Sequence, residues 1–234
     1  MTAAGPVIPN FGQGSSCVTG DHVFCWDWVK EHWGDTLQPA LVLHIELTAV
    51  AIAVGSALAF GLAVVAHRRR RAEQPISVVS ALIYTFPSIA LFQLLVPFTG
   101  LTFTTAAIPL VAYTLVILFP NFVAGLDAAP PEVLEAARGM GLTPNQIFRR
   151  IELPLALPTA IGGLRIAVVS TIAIATIAAA IGQNDLGAPI FYAIQLPIPF
   201  KTEIYTAGFL AVALALLCDG ALVLLRRLTV PWAR

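Results

Sequence analysis

Charged side chains are scarce in this sequence: they make up 11% of its 234 residues, whereas hydrophobic residues make up 58%. A soluble domain usually carries about 25% charged residues. A soluble fold of this length would have to expose much of its apolar surface to water, and the long uncharged runs argue against it. The net charge is zero, so the charge balance gives no indication of nucleic acid as a partner. The composition predicts an integral membrane protein.

Lysine and cysteine are also rare. Neither Lys30 nor Lys201, the only two lysines, follows a glycine as the Walker A pattern GxxxxGK[ST] requires, so we expect no P-loop ATPase activity. The three cysteines lack the spacing of a zinc site, an iron–sulfur cluster or a redox CxxC. Cys17 and Cys25 could form a disulfide in an oxidising compartment or remain free thiols, and the sequence leaves both alternatives open.

Five apolar segments approach or exceed the 20 or so residues that a helix needs to cross a bilayer. They lie at about 41–66, 76–97, 105–125, 155–181 and 204–225. The uncharged stretch from Gln74 to Leu126 would be about 80 Å long as a single helix, so we expect it to fold back at the polar turn 99–104. Residues 182–201 are polar and rich in turn formers. The predicted fold is an all-α, polytopic membrane bundle of about five transmembrane helices.

The basic residues predict how this bundle is oriented. Ten arginines fall on one side of it: Arg68, Arg69, Arg70, Arg71, Arg138, Arg149, Arg150, Arg226, Arg227 and Arg234. Only Lys30 and Lys201 fall on the other side, so the positive-inside rule places the N-terminus outside and the C-terminus inside. We therefore expect an extracytoplasmic tail at 1–39, a transmembrane domain at 40–227 with a cytoplasmic loop at 126–154, and a cytoplasmic tail at 228–234. Residues 26–33 could form an interfacial helix or pack on the protein's own helices.

The cytoplasmic loop carries start and stop signals for two short helices. Pro131 with Glu132 starts the first, and Gly139 with Gly141 ends it. Thr143-Pro-Asn-Gln has the form of a capping box and starts the second, and Pro154 marks the junction of this helix with the fourth span. Helices of about two turns are unstable alone in water, so they need a surface to pack on. That surface is either their own membrane domain or a groove on a cytoplasmic partner.

The residues of this loop resemble a known pattern. Glu135-Ala136-Ala137, then Gly141, Ile151 and Leu153-Pro154, match the EAA loop of binding-protein-dependent ABC importer permeases, in which the coupling helix docks into the ATP-hydrolysing subunit. The resemblance implies ATPase-coupling roles for Glu135, Ala136, Ala137, Arg138, Gly141, Ile151, Leu153 and Pro154. The small alanines would let a partner approach closely, and Glu135 would meet a basic group. Gly141 would permit the sharp turn between the helices.

Three further segments resemble the osmoprotectant branch of this family. They are Tyr84–Leu91, Gly139–Thr143 and Ala180–Gly187, the last of which carries Gln-Asn-Asp where the branch has small residues. The resemblance implies a permease subunit for glycine betaine, choline, carnitine or proline betaine in a prokaryotic inner membrane. Its partners would be ATPase subunits, a second permease copy or paralogue, an extracytoplasmic binding protein and the lipid bilayer. This chain would bind no cofactor, since ATP and Mg belong to the ATPase. The alternative to an osmoprotectant permease is an ABC importer permease for an amino acid such as methionine.

Polar and helix-breaking residues inside the spans give further candidates. The break at Pro87 makes Phe86, Pro87 and Ser88 candidates for the translocation path, although an ordinary kink explains it equally well. Gln183 and Asn184, in the polar segment after the fourth span, are further candidates for the translocation path.

Arg165 and Asp219, the charges inside the fourth and fifth spans, lie at similar depth and could pair. An ion-coupled secondary transporter would instead need inverted repeats and further acids in the membrane. The four scattered histidines offer no constellation typical of a membrane enzyme.

Overall fold

The computed structural model describes residues 23–196 and 199–230. All regular secondary structure in that part of the chain is helical. The α-helices are α1 Trp26–Glu31, α2 Gln38–Arg68, α3 Arg70–Thr85, α4 Ser88–Thr99, α5 Phe103–Leu126, α6 Pro131–Gly139, α7 Pro144–Ile147, α8 Leu153–Ala175, α9 Gly187–Ile194 and α10 Lys201–Thr229. Four helical segments are long and apolar enough to span a membrane, or five if the bent pair α3 and α4 counts as one span. The predicted all-α bundle of about five spans is confirmed.

The centre of the bundle is α5, which packs along α2 on one side and α8 on the other. Glycine permits both close approaches. A Cβ on Gly55 of α2 would lie 2.7 Å from Thr114 Cγ2, and one on Gly163 of α8 would lie 2.5 Å from Asn121 Cβ. The outermost helix is α10, which packs mainly on α8 and α9 and leaves most of its surface outside the core.

The second span is not the single helix that the sequence predicted. It consists of α3 and α4, which meet at an angle of 94°. Phe86 and Pro87 are extended at the break, with ψ angles of 133° and 134°. A residue before proline avoids the α conformation, and proline has no N–H to continue the helical hydrogen bonds. The predicted turn after this span is confirmed, because α4 ends at Thr99 and Gly100 follows with a φ of +70°.

The loop between α5 and α8 follows the prediction and adds one feature to it, a π-helical turn in its second half. As predicted, α6 ends at Gly139, Gly141 adopts a φ of +79°, and a capping box at Thr143 starts α7. Pro154 lies at the predicted junction, in the first turn of α8, and a π-helical turn, Phe148–Glu152, connects α7 to α8. The wider π turn directly before the proline is a known means of keeping a helix continuous where the i→i−4 ladder is interrupted.

The polar stretch after the fourth span also contains unpredicted structure. Following α8, a 3₁₀-helical turn, Thr176–Ile181, ends at Gly182 with a φ of +78°, and α9 then occupies part of the segment expected to be all turns. The backbone comes very close there, since a Cβ on Gly187 would lie 1.8 Å from the Thr176 carbonyl oxygen. Contact with α10 and with the 3₁₀ turn stabilises this short helix, whose eight residues would be marginal alone.

Near the N-terminus, α1 and a π-helical turn at Trp33–Leu37 lead directly into α2. Trp28 is buried and packs edge-to-face on Phe200 at 5.1 Å between ring centroids, whereas Trp26 and Trp33 are exposed. The segment therefore packs on the protein's own helices through one face. Its two exposed tryptophans remain free to lie at the membrane interface. Cys17 lies outside the described residues, so its disulfide with Cys25 stays a prediction.

Candidate functional site

The first helix of the loop, α6, presents an exposed face at the arginine-rich end of the bundle. Glu135, Ala136 and Arg138 are exposed on it, and Gly141 is exposed just beyond it. Glu132 lies in the first turn, where the helix dipole favours a carboxylate, and Arg138 lies in the last turn, where it favours a cation. The face therefore combines a carboxylate, a small side chain and a guanidinium at one surface.

The remaining predicted coupling residues do not all share that surface. Ala137 is fully buried, so its expected contact with a partner is replaced by packing within the chain. The bundle covers only the side of α6 that carries Ala137, whereas most of the helix circumference, including Ala136 about 100° away, is exposed. Ile151, Leu153 and Pro154 are half-buried in the continuous segment leading into α8. They therefore lie outside the exposed surface of α6.

Both ends of the loop contact one imidazole. His67, at the end of α2, lies 2.6 Å from Asp127 Oδ1 through Nδ1 and 3.1 Å from Glu152 Oε2 through Nε2. Asp127 directly follows α5, and Glu152 directly precedes α8. Arg70 donates to the second carboxylate oxygen of Asp127. None of these contacts was predicted from the sequence, because the partners are 60 and 85 residues from His67.

The bend in the second span is held from the central helix. The Tyr113 hydroxyl on α5 donates to the Phe86 carbonyl oxygen at 2.6 Å, which satisfies an acceptor that the break leaves out of the helix. Phe86 and Pro87 are exposed, and Ser88 is half-buried at the start of α4. These three candidates for the translocation path thus lie together at the bend.

A small cavity lies next to α4. It has a volume of about 200 Å³ and lies between Ile89 and the segment of the 3₁₀ turn and α9, including Ala180 and Gly187. The structure therefore brings the beginning of α4 close to the segment that follows the fourth span. Gln183 is buried and Asn184 is exposed, and neither lines this cavity.

A residue that the sequence did not single out lies beside them. Asp185 is fully buried, accepts a hydrogen bond from the Gly187 N–H at 3.0 Å, and contacts His44 Nδ1 of α2 at 3.0 Å. His44 is also fully buried, and its Nε2 has no hydrogen-bond partner. The signal for this contact was the acid at a position where small residues are typical, together with a histidine inside the first span.

The two predicted intramembrane charges are in contact. Arg165 of α8 donates from Nε and Nη2 to the two carboxylate oxygens of Asp219 on α10, at 2.7 and 2.9 Å. They lie in an apolar groove of about 770 Å³ between α8 and α10, which Ile166, Val169 and Leu216 also line. This bidentate geometry is the strong form of an arginine–carboxylate pair. Within the described residues, no group of three His, Cys, Asp or Glu side chains is placed to hold a metal ion.

Comparison with known proteins links this geometry to a family. The model of the family described as "Binding-protein-dependent transport system inner membrane component" matches residues 51–228. The osmoprotectant import permease protein OsmW of Salmonella typhimurium is 39% identical over 145 residues, which cover 59% of this chain and 67% of that protein. The choline transport system permease protein OpuBB of Bacillus subtilis is 30% identical over 80% of this chain and 86% of its own length.

A solved structure has the same fold. The inward-facing MetNI methionine ABC transporter matches with a TM-score of 0.73 over 82% of this chain and 95% of its own chain. Its sequence identity is 23%, so this likeness concerns the fold alone.

Proposed function

Since this chain belongs to the family of inner membrane components of binding-protein-dependent transport systems, we propose that it couples a separate ATPase to the uptake of an osmoprotectant. The observation that carries this proposal is the exposed face of α6, with Glu135, Ala136 and Arg138 in the family's loop pattern between two membrane helices. The chain is a transport subunit in the inner membrane. ATP and Mg are bound and used by the partner ATPase.

The proposed docking surface consists of Glu135, Ala136, Arg138 and Gly141, all of which are exposed. A carboxylate at Glu135 suits a basic group on the ATPase, and the small Ala136 allows close approach. Ile151, Leu153 and Pro154 connect this surface directly to the fourth span, because α7, the π turn and α8 form one helical segment. Movement of the docked ATPase would therefore be transmitted along a continuous helix.

The proposed substrates are quaternary ammonium solutes: glycine betaine, choline, carnitine or proline betaine. The names of similar permeases support this, including osmoprotectant import for OsmW, choline transport for OpuBB and carnitine transport for OpuCB of Listeria monocytogenes. The polar Gln183, Asn184 and Asp185 would distinguish this chain within the branch. We propose that Gln183 and Asn184, with Phe86, Pro87 and Ser88, border the translocation path.

The proposed assembly has two permease subunits, two ATPases and an extracytoplasmic binding protein. The arginine-rich end, with the loop, would face the cytoplasm, and α1 would lie at the outer face. The apolar groove between α8 and α10 offers a surface to the second permease subunit. ATP binding would draw the ATPases together, and the loops would turn that motion into a switch of access from inside to outside.

Asp219 bears on the rival class of ion-coupled transporter. Such a transporter uses acids in the membrane that bind and release ions. Here the carboxylate of Asp219 is engaged on both oxygens by Arg165, so it is occupied by a fixed internal cation. The geometry therefore favours an ATP-driven mechanism over one that carries a proton or sodium ion at this acid.

The test is reconstitution with the cognate ATPase and binding protein in liposomes. Uptake of glycine betaine, choline and carnitine should require ATP, and methionine should not be transported. Glu135→Gln should reduce co-purification of the ATPase, whereas Glu132→Gln, on the same exposed helix, serves as the matched control and should retain it. Methionine uptake would overturn the substrate class, and ATP-independent uptake would overturn the coupling.

A further inference from the structure

We propose that His67 is a positioning residue for the coupling step: it joins both ends of the 126–154 loop to the first span, so that α2 moves with the loop. This inference rests on the proposed function and adds a residue to it. It concerns His67, Arg70, Asp127 and Glu152, which we call the His67 clasp. The loop pattern of the family does not include any of these four residues.

The clasp joins three membrane helices at one side chain. His67 is the next-to-last residue of α2, Asp127 immediately follows α5, and Glu152 immediately precedes α8. The imidazole contacts Asp127 at 2.6 Å and Glu152 at 3.1 Å. All three side chains are mostly buried, with exposed fractions of 15%, 22% and 14%. The contacts are therefore shielded from water more than ordinary surface pairs.

Both ring nitrogens of His67 face carboxylate oxygens. An ionised carboxylate only accepts hydrogen bonds, so each contact requires a proton on the facing ring nitrogen. Both nitrogens donate only in the imidazolium form. Arg70, which contacts Glu73 as well as Asp127, adds a further cation beside the Asp127 carboxylate. A neutral ring would keep only one of the two contacts, so one end of the loop would be released.

A second contact strengthens the same connection. The Arg68 guanidinium donates to Asn145 Oδ1 at 3.1 Å and lies over the Phe148 ring, 5.5 Å from its centroid. Phe148 also lies beside His67, with ring centroids 6.5 Å apart. The end of α2 thus contacts the start, the middle and the end of the second helical segment of the loop, at Asn145, Phe148 and Glu152.

The position of the clasp explains its proposed role. The docking face on α6 lies between Asp127 and Glu152 in the chain, so force applied there passes through one or both of these residues. Because His67 contacts both Asp127 and Glu152, the first span must move together with the cytoplasmic ends of the third and fourth spans. Without the clasp, α6 could shift while α2 keeps its place, and ATP hydrolysis would no longer be tied to solute movement.

The experiment uses the complete complex of permease, ATPase and binding protein in liposomes. It measures basal ATPase activity, ATPase activity with glycine betaine-loaded binding protein, and glycine betaine transported per ATP. His67→Phe removes both donors and keeps a ring beside Phe148. We expect its transport per ATP to fall about fivefold or more, the range of typical coupling effects, while the complex still assembles.

Two further variants separate coupling from folding. His67→Arg supplies a cation with several donors and should restore at least half of the transport per ATP. Arg71→Gln removes an exposed positive charge four residues away and is the matched control, with an expected change below about twofold. If His67→Phe does not assemble, Glu152→Gln tests the same contact and should lower transport per ATP about threefold.

The inference is overturned if His67→Phe, or Glu152→Gln in its place, assembles and keeps the wild-type ratio of transport to ATP. It is equally overturned if assembly and transport fall together while the ratio is unchanged, because that would indicate a purely structural role. Failure of the wild-type complex to transport glycine betaine, choline or carnitine would instead overturn the proposed substrates. In that case, the solute whose loaded binding protein stimulates the ATPase replaces glycine betaine in the assay. Its transport per ATP is then compared between His67→Phe and the wild type.

Discussion

Arg165 and Asp219 form a two-point ion pair across the contact between α8 and α10, with donor–acceptor distances of 2.7 and 2.9 Å. The outermost helix of the bundle packs on α8 and α9 through one side only, and most of its apolar surface lies outside the core. The pair therefore fixes the rotation of α10 about its axis relative to α8. A charge within a membrane span is costly unless it is paired or faces a cavity, and here the two opposite charges pair with each other.

This pair gives the first prediction. Asp219→Asn should lower the thermal midpoint of the detergent-purified chain, because Arg165 keeps its charge and loses its partner. Arg165→Gln combined with Asp219→Asn should lower it less than Asp219→Asn alone, since no charge is left unpaired. The midpoints of the single variant, the double variant and the wild type, measured in one detergent, decide this. A double variant that is less stable than the single one would contradict the pairing.

Local signals in the sequence were sufficient for most helix boundaries. Helix caps, prolines and glycines act over three or four residues, so Pro131, Gly139, Gly141 and Thr143 could be assigned their roles from neighbouring residues alone. The length of each uncharged run likewise fixes the number of spans, because the bilayer sets the helix length. The Arg165–Asp219 contact was predictable because intramembrane charges are few.

Features that depend on distant parts of the chain could not be predicted in this way. Pro87 indicates a break, but its 94° angle depends on how α4 packs and on the bond from Tyr113, 27 residues further along the chain. His44 and Asp185 are 141 residues apart and meet only because α2 and the segment before α9 are neighbours. The burial of Ala137 similarly depends on which side of α6 the bundle covers. Sequence spacing carries none of this information.

Glycine at the contact between α2 and α5 provides a second prediction. Gly55→Ala should destabilise the chain by about 1–3 kcal/mol, because its Cβ would overlap the Thr114 side chain in a packed interface. Gly61→Ala is the matched control in the same helix, where nothing lies within 4 Å of the added Cβ. It should be neutral or stabilising by up to about 1 kcal/mol, as alanine favours helix over glycine. Equal effects on thermal or denaturant stability would refute the close approach.

The hydrogen bond at the bend provides a third prediction. Tyr113→Phe should destabilise the bent conformation by about 1–3 kcal/mol, because the Phe86 carbonyl oxygen would lose the donor that satisfies it. Tyr84→Phe is the matched control, since Tyr84 is exposed, touches the Tyr113 ring edge-on and donates no hydrogen bond among the described residues. Hydrogen exchange of residues 83–90 should quicken in Tyr113→Phe and stay unchanged in Tyr84→Phe. Unchanged exchange in both variants would show that packing alone holds the bend.

The turn between α6 and α7 provides the last prediction. Gly141 has a φ of +79°, which costs an alanine about 1–2 kcal/mol, so Gly141→Ala should distort the turn that ends the docking helix. Gly139→Ala is the matched control two residues earlier, because Gly139 lies within α6 and its added Cβ meets nothing within 4 Å. It should leave ATPase binding intact and favour the helix by about 1 kcal/mol. Both glycines are exposed, so the two variants add the same methyl group to the same surface and differ chiefly in backbone strain. Affinity for the ATPase, measured by titration of the purified subunits, should fall in Gly141→Ala alone. A loss in both variants would mean that the added methyl groups obstruct the partner, and that backbone conformation at Gly141 is not what docking requires.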